Sequence, residues 1–232
     1  MATARHGDVT YSVELAESAP DRNAVFALRE AEYLEKQAYL LAPSASAGSG
    51  APHRASDVYD ERSFIFLCRD VDERSDSALA TCRFTVSLHG RFELDDLTSG
   101  SGGWQRPPVP PSALVETSRV VVRRDVRATG LVEAMLLLAG SWLLRETPLR
   151  YNFAVCARPL ERLYARLGMG LTSDHELTLR GRPEERKYVV IYGDMATSRP
   201  TVEARLRARG WELSDQATHS SMIRETLRKA AP

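Results

Sequence analysis

Between Leu114 and Leu144 the chain runs from an apolar strand (Leu114 to Val122) through an arginine-studded turn (Arg123 to Gly130) into a hydrophobic helix (Leu131 to Leu144). This stretch constrains the fold more than any other. Val120, Val121 and Val122 form a β-branched run of the kind carried by a strand covered on both faces. Glu116 and Arg119 sit inside the same strand, and charges at interior positions need a partner or a task. The turn after it suits a phosphate. A helix start leaves its first amides unpaired and carries roughly half a positive charge, and Arg123, Arg124 and Arg127 add fixed charge beside Thr129, Gly130 and Leu131. The alternative is a solvated charged turn after a buried strand.

With 232 residues, 43% of them hydrophobic, the chain can bury one substantial core. The expected organisation is one elaborated domain: residues 1–195 carry the sheet and 196–232 form a helical extension of it. A formal net charge of +0 argues against a generally basic nucleic-acid binder. Cys68, Cys82 and Cys156 fall in predicted strands with no C-x-x-C pairing, and the five scattered histidines show no ligand spacing, so neither a disulfide framework nor a metal site is expected. The reading is of a cytoplasmic protein, because a reducing compartment suits the free cysteines and no leader pattern opens the chain. No membrane span is expected either, since the most apolar stretch is too short to cross a bilayer and contains Glu133.

In chain order, Asp8 to Leu15 reads as a strand, and Ala19-Pro20-Asp21 signals a helix start. From Arg22 to Leu41 apolar residues recur at helical spacing, with Arg29 and Tyr33 four apart on one face. They serve either a ligand or, as surface arginine and core tyrosine, the fold alone. Ala42 to Ala55 is a Ser/Gly/Pro-rich loop, followed by Asp57 and Asp60 around Tyr59, which either hold a cationic amine or cap a turn. Phe64 to Cys68 and Leu79 to Val86 read as paired strands, the second with Arg83 inside it. Leu97 to Ser112 is a long loop, of a length that is either disordered or a lid, and Trp104 favours the lid. Further on come a strand at Tyr151 to Ala157 and a short helix at Arg158 to Leu167, with Pro159 in its first turn and Gly168 ending it. A hairpin of Leu171 to Leu179 with Lys187 to Tyr192, then helices at Thr201 to Gly210 and Ser220 to Ala230, complete the reading.

Arg127-Ala128-Thr129-Gly130 matches the first four positions of the R-x-x-G-x-G/A acyl-CoA signature of the GNAT acyltransferase superfamily, with Val132 where the signature has Gly or Ala. The order of elements and the ending Tyr164-Ala165-Arg166-Leu167-Gly168-Met169 also resemble that superfamily. Within it the chain is similar to the branch of autoinducer (acyl-homoserine-lactone) synthases and N-acyl amino acid synthases. The resembling pieces are Leu28-Arg29 with Tyr33, Asp57-Val58-Tyr59-Asp60-Glu61-Arg62-Ser63, Cys82-Arg83-Phe84 and Glu116-Thr117-Ser118-Arg119. Autoinducer synthases carry a tryptophan soon after the first-helix aromatic. Here that interval has Tyr39, so the resemblance favours the plain N-acylating members.

The resemblance implies an α/β GNAT fold, a central mixed sheet of about seven strands flanked by helices, with a C-terminal helical extension. It implies an N-acyltransferase using acyl-CoA or acyl-phosphopantetheine on an acyl carrier protein, a small-molecule amine as acceptor, and no metal, nucleic-acid or membrane partner. Glu116, Arg119, Arg83 and Tyr164 are the catalytic candidates. Val120, Val122, Arg127, Thr129, Gly130 and Leu131 would bind the donor, and Arg29, Tyr33, Asp57, Asp60 and Trp104 the acceptor. Glu116 is either the general base, a half-buried carboxylate with a raised pKa, or the counter-ion of Arg83 and Arg119. Tyr164 either protonates the leaving thiolate or packs. Other readings are a GNAT-fold binding module without turnover, an acetyl-CoA-dependent small-amine acetyltransferase and a true acyl-homoserine-lactone synthase.

Overall fold

The computed structural model describes residues 2–41, 55–73, 77–98 and 104–215. Among them, nine strands form one mixed sheet: β1 (Ala2–His6), β2 (Val9–Leu15), β3 (Ser63–Asp70), β4 (Ala80–Val86), β5 (Leu114–Val122), β6 (Tyr151–Ala157), β7 (Gly170–Leu171), β8 (Tyr188–Asp194) and β9 (Trp211–Asp215). Their order is β7-β8-β6-β5-β4-β3-β2-β1-β9. Every neighbouring pair is antiparallel except β5 and β6.

Two more strands are present than the seven expected. Both unforeseen ones, β1 and β9, lie at one edge and pair with each other, so neither needs a long apolar run. At the other edge the expected strand Leu171 to Leu179 shrinks to β7 plus a single bridge from Leu177 to Tyr188. The polar residues between have no apolar face to bury.

Helix α1 (Ala19–Lys36) starts at a reciprocal cap. The Asp21 amide donates to Ser18 Oγ (3.2 Å) and the Ser18 amide to Asp21 Oδ2 (3.3 Å), with Pro20 in the first turn. It lays Val25, Leu28 and Tyr33 against Ile65, Leu67 and Val121. A short helix α2 (Glu93–Thr98) lies on the same side, where the sequence showed no element. Helix α3 (Leu131–Glu146) is apolar nearly all round and accordingly buried, between the opposite face of the sheet and α5 (Met195–Ala208). Helix α4 (Glu161–Ala165) follows β6. The C-terminal extension thus supplies a helix and an edge strand, α5 being capped by Asp194, which accepts from the amides of Ala196 (2.9 Å) and Thr197 (3.3 Å). The expected helix Ser220 to Ala230, the loop from Ala42 and the centre of the loop from Leu97 lie outside the described residues. No helix among the described residues is long and apolar enough to cross a membrane.

Two irregularities open the middle of the sheet. The parallel ladder of β5 and β6 begins at Leu114↔Tyr151 and stops at Glu116↔Phe153, so both strands run on with no pairing between them. On its other edge β5 carries one extra residue against β4, between Ser118↔Arg83 and Val121↔Thr81. This bulge includes Arg119, whose φ is +50°. Such a bulge sharpens local twist, which here separates β5 from β6.

Candidate active site

The separated strands border a cleft of about 360 Å³. Thr117, Arg119, Val120 and Val122 line it from β5, Cys156 from β6, Tyr33 from α1, Glu93 from α2 and Tyr164 from α4. A smaller cavity of about 40 Å³ lies behind the sheet, between Leu136, Gly140, Met169 and Met195. Thr117 and Tyr164 border both spaces.

Above the head of the cleft, strand alternation brings the charged side chains to one face. Arg83, wholly buried, donates through Nη1 to Asp57 Oδ1 and Asp60 Oδ1 (3.1 Å), through Nη2 to Glu93, and through Nε to Ser118 Oγ (3.0 Å). Arg119 Nη2 reaches Asp57 Oδ2 at 2.7 Å and Glu93 Oε1 at 3.5 Å. Arg29 Nη1 donates to Asp60 Oδ1 at 2.9 Å. Asp57 caps and Asp60 stands on one helical turn, Val58–Arg62, whose capping box fixes them both: the Asp57 amide donates to Asp60 Oδ2 (2.9 Å) and the Tyr59 amide to Asp57 Oδ1 (3.0 Å). Burial alone would raise the Asp57 pKa. Arg83 and Arg119 outweigh it and hold the carboxyl at about 2.

Three guanidiniums, Arg29, Arg83 and Arg119, therefore face three carboxylates, Asp57, Asp60 and Glu93. Glu116 is the fourth carboxyl, and among the described residues it makes no ion pair with either arginine. It accepts the Leu94 amide at 3.3 Å and is 1% exposed. Burial, and then the neighbouring Glu93 charge, push its pKa up to about 8 against the pull of Arg83. A carboxyl in that state exchanges a proton near neutral pH. The counter-ion role considered for Glu116 is filled by Glu93, which the sequence reading passed over. The one signal for it is a Glu between Phe92 and Leu94, two residues that bury themselves against Leu114 and Phe153.

Of the expected acceptor residues, Tyr33 faces the cleft, and Asp57 meets it through Arg119. Arg29 and Asp60 are interior, 0% and 3% exposed. Arg29 Nε and Nη2 and Arg119 Nε are buried without a hydrogen-bond partner among the described residues. Trp104 stacks on Phe153 at 4.6 Å and its Nε1 donates to Asp95 at 2.9 Å, so it is docked beside α2. Tyr164 is 8% exposed, and burial, reinforced by Cys156, raises its pKa and keeps its hydroxyl protonated.

In the expected donor turn, Gly130 has φ +91° and begins α3, and Thr129 Oγ1 accepts the Leu131 amide at 3.2 Å. Arg123 is paired with Asp125 and Arg127 with Glu32. Arg209, from the corner between α5 and β9, lies against Gly130 and pairs with Glu133 at 3.1 Å. Val120 and Val122 line the cleft with Arg127, while Leu131 is buried in the core.

No protein-family model and no curated protein matches the sequence. Solved structures do match the fold. A CoA-dependent acyl-homoserine lactone synthase, BjaI, solved with SAM and isopentyl-CoA, superposes with a TM-score of 0.63 at 16% identity, covering 95% of this chain and 99% of its own. FeeM, an N-acyl amino acid synthase from uncultured soil microbes, gives 0.57 at 12% identity, with 83% and 95% covered. Escherichia coli ElaA gives 0.51 at 13% identity, with 80% and 99% covered. With the nine-stranded sheet and its flanking helices, these likenesses show a GNAT-like α/β fold.

Proposed function

We propose that this GNAT-fold chain is an N-acyltransferase that moves an acyl group from a phosphopantetheine thioester, carried on CoA or an acyl carrier protein, to the amine of a small molecule such as an amino acid. The observation that carries this reading is Glu116, a carboxyl left outside a closed balance of three arginines and three acids and standing one residue before Thr117, which borders the cleft between the separated strands. An amine attacks a thioester only when neutral, and the ionised fraction of a carboxyl with a pKa of about 8, which grows as pH rises through neutrality, takes its proton through a water. The unpaired edges of β5 and β6 offer amides and carbonyls to an extended pantetheine arm and to the developing oxyanion. Tyr164, protonated and bordering the cleft, is placed to return a proton to the departing thiolate.

The test is an unbiased screen of acyl-CoA and acyl-carrier donors against amines, read by mass spectrometry for amide product. The wild type forms an N-acyl product. Glu116→Gln, which keeps shape and leaves the three-to-three balance intact, folds normally and loses about 10²- to 10⁴-fold in kcat. A Gln variant that acylates at the wild-type rate with an unchanged pH profile removes Glu116 from the chemistry. A second reading, acyl-homoserine-lactone synthesis, is supported by the TM-score of 0.63 to BjaI. S-adenosylmethionine among the acceptors, with lactone as the product sought, separates the two.

A further inference from the structure

We infer that Glu93 is a positioning residue for the proposed reaction: by holding Arg83 and Arg119 it keeps both guanidiniums off Glu116 and leaves that carboxyl free to take and release a proton. The inference rests on the acyl-transfer reading only for what the proton is used for; the linkage between the two carboxyls stands on the geometry. Glu93 opens α2, is 4% exposed, and lines the cleft beside Thr117 and Arg119. One of its carboxylate oxygens is engaged by Arg83 Nη2 and the other lies 3.5 Å from Arg119 Nη2. Both oxygens of Glu93 are thus committed to guanidiniums, although the residue lines the cleft.

The sheet register shows what would happen without it. Thr85 stands opposite Glu116, and Arg83 stands opposite Ser118, two positions along β5. Arg83 and Glu116 are therefore diagonal neighbours on one face, a spacing that long side chains bridge. With Glu93 gone, Arg83 Nη2 loses its partner in a buried site, and Glu116 becomes the replacement carboxylate. The groups facing Glu116 all push one way under that change. On α2, Glu93 disfavours its ionisation; on β4, Arg83 favours it; β6 offers Phe153. Behind these stand Tyr33 on α1, which lines the cleft, and Arg119 on β5, Arg29 on α1, and Asp57, Tyr59 and Asp60 on the turn before β3, whose own pairings leave Glu116 out. The same segment also places the amide that Glu116 accepts, so one element both orients the carboxyl and guards its protonation.

The experiment is a ¹³C-NMR titration of glutamate carboxyls in the full-length chain, without substrates, for the wild type, Glu93→Gln, Glu93→Asp and, for assignment, Glu116→Gln. The Glu116 midpoint is expected well above the ordinary glutamate range in the wild type, lower by about one pH unit or more in Glu93→Gln, and nearer the wild type in Glu93→Asp, which retains the charge. The acidic limb of the acylation pH profile moves by the same interval. A merely structural Glu93 lowers stability and leaves the midpoint where it was, and that result overturns the inference. Should Glu93→Gln fail to fold, the wild-type titration still decides: an ordinary Glu116 midpoint, or an elevated one belonging to Glu93, also overturns it. Because the titration needs no turnover, a chain without acyl-transfer activity whose Glu116 midpoint still falls in the variant keeps the linkage and overturns only the reaction.

Discussion

Strands β3 and β4 and the paired start of β5 carry two different chemistries back to back. On the α3 side Phe64 and Phe66 meet Trp142, and Phe66 meets Phe84, edge to face, with ring centroids 5.4 to 5.8 Å apart. On the α1 side the alternate residues of the same strands, Ser63, Arg83, Thr85, Glu116 and Ser118, form the polar face on which the charged network stands. In the apolar layer each side chain contributes through its own contact area, so removing one costs that area and the cavity left behind. In the charged layer each group is tolerable only because its partners are present, so removing one exposes the others to uncompensated burial. One layer is a sum of contributions and the other is a circuit.

The largest expected effects test that distinction directly. Trp142→Ala should cost about 3–5 kcal/mol, and Arg83→Ala about the same, by different routes. For Trp142→Ala the loss in urea unfolding is the same at neutral and acidic pH. For Arg83→Ala it shrinks as pH falls, because the contribution Arg83 makes through the ionised Asp57 carboxyl disappears as that carboxyl is protonated. Equal pH responses in the two variants would break the comparison.

How much of this was legible in the sequence follows the same division. The apolar layer and the β5–turn–α3 unit were readable because periodicity and β-branched runs are local signals. Arg29, Asp57, Asp60, Arg83 and Arg119 were each singled out, and the structure brings them together. The sequence could not show that Arg29 and Asp60 are interior, because depth depends on the whole stack of elements above them. Glu93 was missed because nothing local marks a counter-ion whose partners are Arg83 on β4 and Arg119 on β5. The two edge strands β1 and β9 were missed for a related reason. Five residues each, with only Ala2, Ala4 and Trp211 buried among them, they are strands only because they pair with each other and because β1 also pairs with β2.

A smaller effect concerns how stability follows pH. Glu116 has a folded-state pKa raised to about 8, so between the ordinary glutamate range and pH 8 the folded state holds a proton that the unfolded state has lost, and stability falls as pH rises through that window. Asp57 has a folded pKa lowered to about 2, so its contribution is present above the ordinary aspartate range and disappears as pH falls toward 2. Chemical denaturation across pH should therefore show Glu116→Gln gaining on the wild type from weakly acidic to mildly alkaline pH, and losing stability with it below about pH 4. A constant offset between the two proteins would mean that Glu116 is ionised like any exposed glutamate and would remove the contrast with Asp57.

The smallest effects on stability are expected outside both layers, at the turn before α3, and they come in opposite signs for the donor. Arg127 is 39% exposed and is engaged by Glu32, so a donor phosphate that uses this arginine has to displace a carboxylate already on it. Arg127→Ala should then weaken donor binding while Glu32→Gln strengthens it, each by about 2- to 10-fold, with folding stability changed by less than about 1 kcal/mol in either case, since an exposed ion pair contributes little. Both differences should shrink as salt is added, because charges at this depth are screened over about 10 Å at 0.1 M. Calorimetric titration with an acyl-CoA reads both variants in one series. Opposite shifts place the phosphate at the turn, in the field of the first amides of α3. If the two variants bind the donor equally well, Arg127 and Glu32 are a structural clasp between α1 and the turn. The cations of the cleft then have to be sought at Arg182 and Arg186, on the loop before β8 that lines its far wall.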